Sequence, residues 1–215
     1  MKILYLHNTA EISGGERSLL SLWKNLDHSF FEPMVVLPYE GPLSQAARDL
    51  GVKVEVLSIP KLHPLNILKI LGAMRVLRAL ISRNDIGLVH SYSPRNNILS
   101  AWVCRGLRVP VIWHERNLIF GDEKDVSVRF YALASRIICN SKAVAARFSV
   151  QKDSAAKVKV VLNGVDLNHF RPGSEDGIKK SLGIGAEKVI GMTTNLNKRK
   201  RVEFLLKALA LVREK

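Results

Sequence analysis

The chain has 215 residues, with 33 lysines and arginines against 19 aspartates and glutamates, for a formal charge of +14 at pH 7. Its 47% hydrophobic and 24% charged content fits a soluble globular protein, one large domain or one domain plus part of another. No run approaches a spanning helix, the ILYLH after Lys2 is too short for a signal-peptide core, and zinc-finger spacing and RNP-like aromatics are missing, which argues against a membrane span, a secretory leader and nucleic acid.

From the N-terminus, short apolar strands alternate with amphipathic helices. Strands are expected at 2–7, 33–38, 53–58, 86–91, 109–114, 136–141 and 158–163. Helices are expected at about 16–26, 42–50, 65–83, 95–106, 126–134 and 142–149. Most strands are rich in Val, Ile and Leu with little alternation, as when both faces lie under helices. The pattern predicts an α/β fold with a Rossmann-like, doubly wound parallel sheet. Ligands of such sheets bind beyond the carboxyl ends of the strands, at the switch point.

Between the first strand and first helix stand Gly14 and Gly15. A bare turn there suits an anionic or polyhydroxylic ligand, since glycine lets another molecule approach the backbone and a helix start offers free N–H groups. A tight βα turn with no ligand is the other reading. Polar residues also collect at later strand ends: His7 and Asn8; His90, Ser91 and Tyr92; His114, Glu115 and Arg116; Asn140, Ser141 and Lys142. Any one could be an ordinary surface residue, but four clusters on one sheet edge indicate a site.

In the 65–83 helix, Ile67, Ile70, Met74, Leu77 and Ile81 form one stripe, with Lys69, Arg75, Arg78 and Arg83 outside it. Two readings stay open, a helix packed on the sheet with a solvated basic face and a basic amphipathic surface for a membrane. Cys104 and Cys139 lie in apolar surroundings without metal-like spacing and read as reduced core thiols, which favours a cytoplasmic setting. The segment NGVDLNHFRP (163–172) reads as an ordered crossover. After the loop GSEDG come a short helix, a strand at 188–195 and a basic amphipathic helix at 201–214. The organisation expected is therefore a domain over 1–172 followed, over 173–215, by a linker and the first βα unit of a second domain.

Taken together and in order, GGERSLL, LVHSYS, VIWHE, RIICNSKAV, VKVVLNGVDLNHFRP and VIGMTTNLNKRKRVEFLLKALALV resemble the N-terminal half of a family 4 (group 1) glycosyltransferase of GT-B fold. The resemblance implies an acceptor-binding N-terminal domain facing a C-terminal domain that binds a nucleotide sugar. It implies transfer with retention of configuration to a glycan or lipid-linked acceptor, with no metal and no other cofactor. Positive side chains and helix N-termini would stabilise the leaving diphosphate. By the same resemblance His114 is the catalytic histidine near the transferred sugar, and Gly14, Gly15 and Ser141 match substrate-side positions. His90, Tyr92, Glu115 and Arg116 join them as substrate-binding candidates on the same edge.

Lys200 matches the lysine of the family's donor-phosphate clamp, whose arginine and glycine positions hold Asn195 and Arg201. These departures weaken the clamp, with Lys198, Arg199 and Arg201 as other sources of charge. The family's carboxylate motif has no counterpart in the sequence. The chain is thus expected to cover mainly the acceptor half, as a truncated chain, a split gene product or an N-terminal domain taken alone. The family also implies peripheral contact with an anionic membrane, here at its inner face. A non-enzymatic sugar- or nucleotide-binding module, or an inactive fragment, is the alternative. A dinucleotide-dependent oxidoreductase fits less well, because the first loop lacks G-x-G-x-x-G.

Overall fold

The computed structural model describes all residues except 120–124, 174–175, 186–188, 195, 197–199 and 214–215. The apolar runs form seven strands: β1 (Lys2–Leu6), β2 (Glu32–Leu37), β3 (Lys53–Val56), β4 (Ile86–Tyr92), β5 (Val111–Glu115), β6 (Arg136–Cys139) and β7 (Val158–Val160). All pair in parallel, in the order β3-β2-β1-β4-β5-β6-β7. The expected doubly wound α/β sheet is formed. Its order reverses between β1 and β4, which opens a crevice at their carboxyl ends.

Helices cover both faces. They are α1 (Gly14–Lys24), α2 (Pro42–Asp49), α3 (Ile67–Arg83), α4 (Pro94–Leu107), α5 (Val126–Arg129), α6 (Lys142–Ala146) and α7 (Ser154–Lys157). Period-2 alternation sends Leu4 and Leu6 of β1 into one core, with Leu77 and Ile81 of α3 and Leu99 and Cys104 of α4. Ile3 and Tyr5 enter the other, with Leu19 and Trp23 of α1 and Leu43 of α2. Pro42 and Pro94 open α2 and α4, where a missing N–H costs nothing.

Several elements are shorter than their sequence pattern. The helix expected at 126–134 divides into α5 and a 3-10 turn, Tyr131–Leu133, and that at 142–149 ends with α6 at Ala146. In α3 the expected stripe is only partly covered: Leu77 and Ile81 are buried, Ile70 and Met74 half-buried, and Ile67 exposed. Cys104 and Cys139 are free and buried, and burial pushes their thiols up to about 12 and about 11.

The chain divides into two compact units, Met1–Phe170 and Arg171–Lys215. The second holds α8 (Asp176–Ser181) and α9 (Val202–Arg213), the latter with Phe204, Leu206, Leu211 and Val212 exposed. The strand expected at 188–195 is not formed over its described residues 189–194. Among the described residues this unit holds no second strand with which a parallel ladder could be built. No helix among the described residues is long and apolar enough to cross a membrane.

Candidate functional site

Parallel register assembles the site. It sets His90 beside Tyr5 of β1, and His114 of β5 beside Tyr92 of β4. His7, one residue past β1, has its ring 4.7 Å from that of Tyr92, which is 4.8 Å from that of His114. The His90 and His114 rings are nearly parallel at 11°, with centres 5.2 Å apart, and Nε2 of His90 is 3.2 Å from Nδ1 of His114. With edge nitrogens so close, the two rings share an N–H···N bond.

Burial sets the protonation of this cluster. It drives His90 down to about 3, helped by His114 and His7, and His114 down to about 4, helped by Arg116 and His7. His7 is also lowered, chiefly by burial, against the opposing pull of Glu16, whose carboxylate lies 3.4 Å from its Nε2. All three imidazoles are therefore neutral at pH 7. Burial would raise Glu16, but hydrogen bonds from Ser13 and the nearby His7 outweigh it and hold the carboxyl low.

The start of α1 departs from expectation. Glu16 accepts hydrogen bonds from the Ser13 backbone N–H at 3.0 Å and from the Ser13 hydroxyl. The helix thus brings its own anion to its first turn, the arrangement that Ser-x-x-Glu encodes. Neither Gly14 nor Gly15 takes a positive φ, and a side chain at Gly14 would meet open space. At Gly15 the nearest atom would be Nε of Arg116, at an ordinary 3.9 Å. The two glycines leave a low wall rather than answering to strain.

A cavity of about 540 Å³ opens at the switch point. Gly15, Tyr92, His114, Glu115 and Arg116 line it, together with His7. Gly14 and His90 face neighbouring hollows of about 680 and 660 Å³, bounded in part by 163–168. Ser141 instead caps α6, its hydroxyl accepting from the Val144 N–H at 3.2 Å. The buried Glu115 carboxylate accepts from Asn97 Nδ2 at 2.8 Å, Ser127 Oγ at 2.7 Å and Arg147 Nη1 at 3.0 Å. Arg147 also pairs with Asp125, Nε to Oδ2 at 2.7 Å. Arg116 donates to Ser18 Oγ at 3.2 Å and Asn163 Oδ1 at 2.9 Å. Lys200 is exposed in the second unit, and Asn195, Lys198 and Arg199 lie outside the described residues.

Glu16, Ser18, Arg147 and Asn163 join the site beyond the residues expected from the sequence. Only Glu16 carried a local signal, the capping box with Ser13.

Residues 12–169 match Glycosyltransferase Family 4. The chain belongs to that family. It is similar to the UDP-Gal:alpha-D-GlcNAc-diphosphoundecaprenol alpha-1,3-galactosyltransferase of Escherichia coli, 24% identical over 209 residues. That match takes in 91% of this chain and 51% of the E. coli enzyme. Among solved structures, Anabaena HepE in complex with UDP and glucose superposes with a TM-score of 0.75 at 22% identity, over 98% of this chain and 58% of that one. A glycosyltransferase from Rickettsia africae gives 0.63 at 16% identity, over 85% and 48%. This family 4 chain thus spans about half the length of these relatives, and the structural likenesses show the fold they share.

Proposed function

We propose that the chain supplies the acceptor half of a retaining glycosyltransferase that passes a sugar from a nucleotide sugar to a glycan or lipid-linked acceptor. The observation that carries this reading is His114, neutral, at the switch point and lining the cavity. Its Nε2 is buried and has no hydrogen-bond partner among the described residues, an arrangement that a ligand hydroxyl would complete. The low wall at Gly15 leaves room for the sugar, with Gly14 bordering the next hollow, and the buried Tyr92 ring braces His114. His90 orients His114. Glu115 acts behind the cavity, by fixing β5 against α4 and α6. Ser141 holds the start of α6 in place. Lys200, with Asn195, belongs to the donor-phosphate side, and the chemistry proposed needs no metal.

The lipid-linked acceptor is favoured by the name of the E. coli relative and by one surface. Leu65 and Leu68 are 89% and 81% exposed, and Trp102 is 53% exposed beside an apolar hollow of about 290 Å³. Lys61, Lys69, Arg75 and Arg78 are exposed in the same segment as the two leucines, with no acidic residue between Glu55 and Asp85. Such a surface suits peripheral docking on an anionic bilayer. Co-sedimentation with anionic but not neutral vesicles, weakened about tenfold by Leu65→Ser with Leu68→Ser, is expected from the apolar area removed. Equal binding to both vesicle types would remove the membrane from this reading.

Saturation-transfer NMR with an N-acetylglucosaminyl diphospholipid analogue tests the acceptor assignment. Loss of the transfer signal in His114→Ala supports it, and an unchanged signal in that variant refutes it. A non-catalytic sugar- or nucleotide-binding module is the second reading, favoured by the engagement of both carboxylates that line the cavity, Glu16 with Ser13 and Glu115 with Arg147. Sugar transfer by this chain from UDP-galactose would exclude it.

A further inference from the structure

Two arginines reach inward from neighbouring parts of the sheet edge, and they are balanced differently. Arg147 lies between two carboxylates, Glu115 at 3.0 Å and Asp125 at 2.7 Å. Arg116 is half-buried and is held by neutral oxygens, Ser18 Oγ and Asn163 Oδ1. Among the described residues no ion pair includes it. The acidic side chains lining the cavity are engaged elsewhere, Glu16 with Ser13 and His7, and Glu115 with Arg147. The histidines beside it are neutral. A guanidinium at the cavity wall that is held by neutral oxygens keeps its full charge for an anion, and the partial shelter from water strengthens that attraction.

We propose that the ligand of this cavity presents a phosphate or diphosphate to Arg116. The guanidinium is a planar fork matched to two phosphate oxygens, and Ser18 and Asn163 hold it in place before the ligand binds. α4 adds a second positive element. It is 14 residues long, has no acidic residue in its first turn, and opens onto the cavity at Ser93 and Pro94. The contrast with α1 is direct, since α1 already carries Glu16 there. Arg116 would attract either kind of phosphate by charge, and an isoprenoid diphosphate as the source rests on the acceptor reading above.

Calorimetry of the full 215-residue chain with inorganic pyrophosphate tests the assignment. Binding is expected, weakening with added salt, and Arg116→Gln should weaken it about tenfold or more, as for a lost charged hydrogen bond. Wild-type chain that does not bind, or Arg116→Gln binding equally well, overturns the proposal. Should Arg116→Gln fail to fold by circular dichroism, Ser18→Ala and Asn163→Ala carry the test. They keep the charge but release its tethers, and unchanged pyrophosphate affinity in both would overturn it. Geranyl diphosphate and UDP then separate the sources. Tighter, Arg116-dependent binding of geranyl diphosphate supports the proposal with the acceptor reading. Tighter, Arg116-dependent binding of UDP supports Arg116 as the phosphate ligand while refuting the acceptor reading.

Discussion

At the end of β5, consecutive residues serve two regions of opposite character. Glu115 turns into a polar network in which its carboxylate takes hydrogen bonds from Asn97, Ser127 and Arg147, and Arg147 also pairs with Asp125. His114 and Arg116, one residue to either side, line the cavity with a nitrogen and a charge that the described residues leave uncompensated. All three residues border the cavity, but the Glu115 carboxylate is taken up by Asn97, Ser127 and Arg147. The difference teaches where stability is stored and where binding capacity is kept. Groups that the protein satisfies hold the edge together, and groups that it leaves unsatisfied are available to a ligand.

The contrast breaks most visibly at Glu115. Glu115→Ala strands Arg147 with one carboxylate and deprives Asn97 and Ser127 of their acceptor. The expected loss is about 3 kcal/mol of unfolding free energy, read by urea titration. An unchanged midpoint accompanied by lost ligand binding would move Glu115 from framework to site. His114→Ala should do the reverse. It should change the midpoint little while lowering kcat roughly a hundredfold in an enzyme complete with its donor domain, as for one strong hydrogen bond made in the transition state. Near-normal kcat would refute the catalytic role.

Acid sharpens the same comparison. His90 at about 3 and His114 at about 4 bind protons less readily folded than unfolded, where histidine titrates near 6.5. The unfolded chain therefore takes up more protons between roughly pH 6.5 and 4, and stability falls as pH falls through that window. The slope is about 1.4 kcal/mol per pH unit for each histidine at its steepest. His90→Gln should flatten the curve of unfolding free energy against pH between 7 and 5. A curve of unchanged slope would show that His90 is not held neutral by the fold.

The smallest effect belongs to a charged pair of the opposite kind. Arg48 holds Glu40 at 2.6 Å on the surface, and its hydrogen bond lowers that carboxyl to about 2. Both side chains remain in water, where such pairs contribute little. Glu40→Gln should leave the melting temperature within error. A loss comparable to that of Glu115→Ala would dissolve the distinction between satisfied buried pairs and solvated ones.

The sheet was legible because its strands are apolar on both faces and separated by turn and helix signals. Those positions also placed His7, His90, His114 and Asn140 at one edge from the order of residues alone. Partner choice was not legible. Glu115 meets Asn97, Ser127 and Arg147 across separations of 18, 12 and 32 residues, which no local spacing encodes. Ser141 looked like part of the same edge, yet its hydroxyl is used by the first turn of α6, as serine before a helix commonly is. Residues 188–195 had a strand's composition, and composition cannot supply a neighbouring strand.

The two cysteines have a practical consequence. A thiol reacts as its thiolate, and both native thiols are buried with the charged form pushed well above neutral pH. A maleimide at pH 7 should therefore pass over both. Leu65→Cys would then carry a spin label or fluorophore in an otherwise native background. Distances and wetting at the apolar end of α3 could be followed without first removing Cys104 or Cys139 from the core.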